Sequence, residues 1–279
     1  MTNYYYFSIA GVTLKLEADV SLSVSARFAP FLIAPKKEDY SIIVKCVDSL
    51  PPVPRGAMPR GSTRVLWQGE QELVYYKDRT GKKPGLLCCI TEQQAVLSYL
   101  PEAAHTLSGV GAVFHRVPME SWLLRKGGLI LHAALVDYKG KGILLCGRSG
   151  VGKSTQAALW KKLGGRILNG DRTVVREAVP WEAYGSPVAG TSGIYRNESV
   201  PVAAVALLSQ GSTPAVKQVD GGTAILGLYP ETAIHHWESR FVSRAIDLLA
   251  GLTCNAGIYE LTCTKDIETP ELLGKVAKL

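Results

Sequence analysis

Apolar and polar residues trade places at strand spacing through the first hundred positions. Val12-Thr-Leu-Lys-Leu-Glu-Ala18 alternates at every step, and Tyr40-Ser-Ile-Ile-Val-Lys-Cys-Val47 does so more loosely. Runs at 62–67, 72–77, 85–91 and 95–100 follow, separated by turn chemistry such as Asp78-Arg-Thr-Gly81, and together they predict a meander of short strands. A proline- and glycine-rich stretch, 51–61, predicts an exposed loop among them. Between 108 and 124 the spacing turns helical, with Val110, Val113, Phe114, Val117 and Trp122 on the buried face and Pro118 expected to kink or divide the helix. The apolar runs 128–136 and 141–146, joined through Asp137-Tyr-Lys-Gly-Lys-Gly142, predict a β-hairpin. A helix over 154–163 then stops at Gly164-Gly165, and a short strand over 166–171 ends in a carboxylate. A glycine-rich polar loop is expected over 181–197. Strands at 202–208, 215–219 and 258–263 alternate with helices at 239–252 and from Pro270 onward. The predicted organisation is a β-rich accessory or recognition domain over 1–107 and an α/β domain with a mixed sheet over 108–279.

The hairpin leads into the most specific stretch of the chain. Gly147-Arg-Ser-Gly-Val-Gly-Lys-Ser154 fits the phosphate-loop pattern G-x-x-x-x-G-K-[ST] at every fixed position. A strand enters it and a helix leaves it, the arrangement in which consecutive backbone N–H groups cradle polyphosphate at a positive helix end. The candidate nucleotide-binding residues are Gly147, Ser149, Gly150, Val151, Gly152, Lys153, Ser154 and Thr155. Lys153 would reach the β- and γ-phosphates, and the Ser154 hydroxyl would be offered to Mg²⁺. Asp171, 18 residues beyond Lys153, lies far enough on for one helix and a return to the sheet, so it is the candidate base or metal-holding carboxylate. Arg196, in the polar loop, is a candidate contact for a transferring phosphate. An antiparallel strand directly beside the strand that enters such a loop is a less common architecture.

Composition narrows the alternatives. With 279 residues, 47% hydrophobic and 20% charged, the chain has apolar material for one large core or two smaller ones. Its longest apolar run, 128–136, is interrupted by His132 and is too short to span a bilayer, and the first residues lack the basic and apolar regions of a secretion signal. Six cysteines without a C-x-x-C pair predict reduced thiols in a cytoplasmic protein and give no support for zinc. The net charge of +7 is spread over pairs such as Lys36-Lys37, Lys82-Lys83, Arg125-Lys126 and Lys161-Lys162, with no tract and no interleaved aromatics, which argues against a nucleic-acid partner. His235 and His236 are adjacent and diverge on any regular element, so they are expected at the surface or in packing. No guanine-reading N-K-x-D motif occurs, which favours adenine.

Leu131-His-Ala-Ala-Leu-Val136, the hairpin turn, the glycine loop through Thr155 and Leu168-Asn-Gly-Asp-Arg172 resemble the HPr serine kinase/phosphorylase family and, more broadly, the phosphoenolpyruvate-carboxykinase-like P-loop superfamily. Gly185-Ser-Pro-Val188 and Arg196-Asn-Glu-Ser-Val-Pro201 look like a kinase-related bacterial branch found in peptide-modification pathways. The resemblance covers roughly 128–279. It implies a P-loop kinase domain using ATP and Mg²⁺, with His132 beside the γ-phosphate, Lys153 and Ser154 on phosphate and magnesium, and Asp171 as one aspartate of an acidic pair. Gly170 stands where those enzymes carry the second aspartate. The expected acceptor is a serine of a peptide or protein, with free serine as the small-molecule alternative and a non-catalytic ATP sensor as the alternative class. Self-association into a homo-oligomer is left open, and neither nucleic acid nor membrane is expected as a partner.

Overall fold

Leu14, Leu16, Ile42, Val44 and Leu97 are all but inaccessible to solvent, and their strand neighbours other than the buried Thr13 are at least partly exposed, so the alternation read from the sequence is the alternation of a sheet with one covered face. The computed structural model describes residues 2–77, 83–188, 190–236 and 238–279; the turn expected at Asp78-Arg-Thr-Gly81 lies outside them. The chain divides into two units, Met1–Trp122 and Leu123–Leu279.

The first unit holds β1 (Asn3–Ile9), β2 (Val12–Ala18), β3 (Tyr40–Cys46), β4 (Met58–Arg60), β5 (Thr63–Gln68), β6 (Gln71–Lys77), β7 (Pro84–Ile90), β8 (Gln94–Tyr99) and the short helix α1 (Val110–Phe114). The strands form one sheet in the order β1-β2-β3-β8-β7-β6-β5-β4. From β4 to β8 the chain runs as the expected antiparallel meander. The sheet as a whole is mixed, because β3 lies parallel to both β2 and β8. The long connection after β2 returns β3 in the same direction, which a hairpin could not do. The stretch expected as a loop at 51–61 ends in β4, where Pro59 sits on an edge strand that can spare an N–H. Helix α2 (Met119–Arg125) spans the division between the units, and Pro118 separates it from α1. The five apolar residues expected on the helical face are all buried.

The second unit contains β9 (Gly128–Tyr138), β10 (Lys141–Cys146), α3 (Lys153–Lys162), β11 (Arg166–Asn169), β12 (Arg172–Arg176), β13 (Glu182–Tyr184), β14 (Ser199–Gln210), β15 (Ala215–Gln218), α4 (Gly221–Leu228), β16 (Thr232–Ala233), α5 (Ser239–Asn255), β17 (Gly257–Cys263) and α6 (Glu268–Val276). Both sheets of the molecule are therefore mixed, and the fold class is α/β. Strand β10 has β9 antiparallel on one side and β14 parallel on the other. Following the pairings from β10 through β9, β12, β13 and β14 leads back to β10, so these five strands close a hydrogen-bonded circuit. Ala134, Val136, Ile143, Leu145, Ala206 and Leu261 form a core with Ala157 and Trp160 of α3 and Leu273 of α6. The alternate residues Ala133, Leu135, Leu144 and Ile258 are as well buried and face the layer that α4 and α5 supply.

The described residues of 181–197 form more regular structure than a polar loop. They include β13, a 3-10 turn at Gly190–Ser192 and the buried residues Trp181 and Ser186. The glycine at 185 answers a packing need: a Cβ there would lie 2.0 Å from the Arg196 carbonyl oxygen.

Candidate active site

The site grows from a change of neighbours along β9. On one edge, β10 pairs with β9 only as far as Cys146 opposite Ala133, and β16 takes over with Thr232 opposite Leu131. On the other edge, β11 ends with Asn169 opposite Leu135, and β12 begins with Arg172 opposite His132. Four strand ends therefore meet around His132. Its parity along β9 matches Ala134 and Val136, so it points to the face that carries α3.

From the end of β10 the chain leaves the sheet as the glycine loop 147–152. Gly147, Gly150 and Gly152 have φ of +147°, +83° and +117°, a backbone region that side chains disfavour. A Cβ on Gly147 would press on Val151 at 3.0 Å, whereas one on Gly150 or Gly152 would meet nothing within 4 Å. The space over the loop is open. Gly152 caps α3, so the first-turn amides of Lys153, Ser154 and Thr155 have no acceptor within the helix and carry its positive end. Ser149, Ser154 and Thr155 are exposed. At the end of β14, Gln210 Nε2 donates to the Gly150 carbonyl at 3.0 Å and ties the loop to the sheet.

Lys153 points inward. Its side chain is buried, and Nζ lies 2.6 Å from Gly147 O, 3.3 Å from Arg148 O and 2.9 Å from His132 Nε2. Burial pulls its pKa below the ordinary 10.5, while the charges of Asp171 and Glu231 push the other way. The cost of burying the ammonium is thus largest below the lowered value and fades as pH rises through it towards 10.5.

Asp171 reaches the same place, with Oδ1 3.1 Å from His132 Nε2. A fully buried Asn169 holds it there. The Asn169 side-chain oxygen accepts from the amides of Asp171 (2.8 Å) and Arg172 (2.9 Å), while Nδ2 donates to the carbonyls of Ser186 and Val188, each at 3.0 Å. This is an Asx turn locked from behind by the β13–β14 segment. Against Asp171 packs the backbone of Gly190, where a Cβ would come within 2.8 Å of the carboxyl carbon.

A second carboxylate completes the cluster. Glu231, at the end of the 3-10 turn Tyr229–Glu231, places Oε2 3.0 Å from His132 Nδ1. The sequence reading did not find it, nor Asn169 or Gln210. Glu231 is 99 positions from His132 and stands just before a two-residue strand, so no local pattern announces it.

Of the residues predicted for the site, His132, Lys153 and Asp171 come together, and the loop meets them through the Gly147 carbonyl on Lys153. Arg196 does not join them. Its Nε donates to Ile167 O at 3.3 Å, and its guanidinium pairs with Glu198 at 3.6 Å, with half of the side chain exposed. Arg172 Nε lies 3.8 Å from Asp171 Oδ2. Among the described residues no three His, Cys, Asp or Glu side chains are arranged to hold a metal by themselves. His235 and His236 pack against the rings of Phe241 and Tyr229. Cys46, Cys88, Cys89, Cys146, Cys254 and Cys263 are free thiols.

A family model described as "SynChlorMet cassette protein ScmC" matches residues 113–245, just under half of the chain. The matched span runs from α1 into α5 and includes every residue of the cluster. Among solved structures, the HPr(Ser) kinase/phosphatase from Coxiella burnetii aligns at 14% identity, covering 53% of this chain and 95% of that one, with a TM-score of 0.26. That likeness is weak. No helix among the described residues is long and apolar enough to cross a membrane.

Proposed function

We propose that this protein is an ATP-dependent, Mg²⁺-requiring kinase that transfers the γ-phosphoryl group to a hydroxyl, with a serine of a peptide or protein as the acceptor. The observation that carries the reading is the meeting of Lys153, His132 and Asp171 at the mouth of a glycine loop whose open side fronts the start of α3. A polyphosphate fits what is there: open space over Gly150 and Gly152, unpaired first-turn amides and one buried ammonium. Mg²⁺ suits the donors, since Ser154 and Asp171 offer hard oxygens and the ion ordinarily takes only one or two protein ligands beside phosphate. When bound, ATP and its metal supply the transferable group and much of the charge neutralisation it needs.

The chain's own part is positioning and electrostatics. The loop amides and Lys153 draw negative charge toward the end of α3. Asp171, held by Asn169, accepts the hydrogen of the incoming hydroxyl and orients its oxygen. Free serine is the smaller acceptor consistent with the same chemistry. A cytoplasmic setting, where thiols stay reduced, belongs to this reading.

The test is transfer of label from γ-labelled Mg-ATP to peptides of a cell lysate and to free serine, with Lys153→Ala as control. The expected result is labelled product with the wild-type chain and none with the variant, and none when the metal is chelated. If calorimetry finds Lys153-dependent nucleotide binding but no acceptor is ever labelled, the protein is a nucleotide sensor and the kinase reading fails.

A further inference from the structure

We propose that Glu231 is a positioning residue for this site: it selects the tautomer of His132 and thereby holds the Lys153 ammonium over the glycine loop. The inference deepens the phosphotransfer reading and rests on it only for its effect on turnover.

The geometry poses a choice at His132 Nε2. Lys153 Nζ approaches it at 2.9 Å and can only donate; Asp171 Oδ1 approaches it at 3.1 Å and, ionised, can only accept. One neutral ring cannot satisfy both. With the proton on Nε2, the ring donates to Asp171 and turns an N–H toward Lys153. With the proton on Nδ1, the Nε2 lone pair accepts from Lys153. The ammonium then has three acceptors for its three donors: Gly147 O, Arg148 O and His132 Nε2.

Glu231 decides between these states. Its Oε2, 3.0 Å from Nδ1, accepts a hydrogen bond there and disfavours a bare nitrogen lone pair. The backbone delivers it independently of that bond. Pairing of Thr232 with Leu131 and Ala233 with Ile130, carried one step further, sets residue 231 opposite residue 132. Thr232 Oγ1 donates to Leu228 O at 2.9 Å, and its amide donates to Tyr229 O, which fixes the turn that precedes β16. The carboxylate stays beside Nδ1 because the strand puts it there. Around the ring stand Lys153 from α3, Asp171 from the β11–β12 turn, Arg172 at the start of β12 and Glu231 from the 3-10 turn, and among the described residues Glu231 is the carboxylate bonded on the Nδ1 side.

The experiment is long-range ¹H–¹⁵N NMR of the full chain labelled at histidine, without nucleotide, with His132 assigned by its disappearance in His132→Gln. The wild-type ring is expected to carry its proton on Nδ1. In Glu231→Leu the proton is expected to move to Nε2, where Asp171 can receive it. Glu231→Gln, whose amide can still accept through its oxygen, is expected to keep a measurable share of the Nδ1–H form. Turnover in Glu231→Leu should fall roughly tenfold or more. A wild-type ring protonated on Nε2 overturns the proposal from the first spectrum, whether or not any variant folds. So does a Glu231→Leu ring with unchanged tautomer. A shifted tautomer in a chain whose wild type transfers no phosphate upholds the positioning role and defeats the kinase reading instead.

Discussion

The two units use the same raw material, mixed sheets of short strands, to different ends. In the first, strands keep their neighbours along their length, and polar side chains close loops onto the sheet. Tyr99 Oη donates to Asp19 at 2.9 Å, Tyr40 Oη donates to Trp122 O at 3.1 Å, and Tyr5 Oη binds both backbone groups of Leu22. In the second, β9 exchanges partners on both edges at His132, and the polar side chains delivered by the incoming strand ends face one another. The difference teaches where chemistry can arise in a sheet: at a point where the ladder changes hands, several chain segments must end or begin, and their side chains converge.

The comparison breaks most visibly at Asp171. Asp171→Asn keeps the turn, because Asn169 holds only the backbone amide, but removes the charge. Turnover is expected to fall on the order of 10³-fold while the affinity for Mg-nucleotide, read by calorimetry, changes by no more than a few-fold. An Asp171→Asn enzyme with normal turnover would remove the carboxylate from the reaction.

Asn169→Ala tests whether the convergence is itself built by hydrogen bonding. It strips the acceptor from two amides and the donor from two carbonyls in a fully buried place, and should cost about 3 kcal/mol in denaturant unfolding. A loss below about 1 kcal/mol would mean that the β11–β12 turn holds its shape without the side chain. The smallest effect belongs to the first unit. Tyr40→Phe removes one buried hydrogen bond and should cost about 1 kcal/mol, with nucleotide binding unchanged.

The glycine loop and the strand and helix that flank it could be read from sequence because all the required residues are contiguous. The hairpin of β9 and β10, and Pro118 as a divider, were local in the same way. Asp171 was within reach because one helix and one return strand separate it from Lys153. Elsewhere the signals were weak or absent. Strand β1 begins as a run of tyrosines whose alternation is hidden, β12 is five residues with arginine at both ends, and α4 opens with two glycines. Only the Asp220 cap, which accepts from the Thr223 amide at 3.0 Å, advertised that helix. Arg196 was misplaced for the opposite reason. A cation in a glycine-rich segment suggests a phosphate contact, but the Arg196 amide bonds Leu168 O beside the Asn169–Tyr195 bridge, and its guanidinium goes to Ile167 O and Glu198. Glu231 required the tertiary pairing itself.

The circuit of β10, β9, β12, β13 and β14 has one more consequence. A ribbon whose last strand is bonded to its first offers no loose end at which unzipping can start. Amides in the middle of β9 and β10 should therefore exchange with deuterated water only when the entire girdle opens at once, and the histidine carried on β9 inherits that stillness.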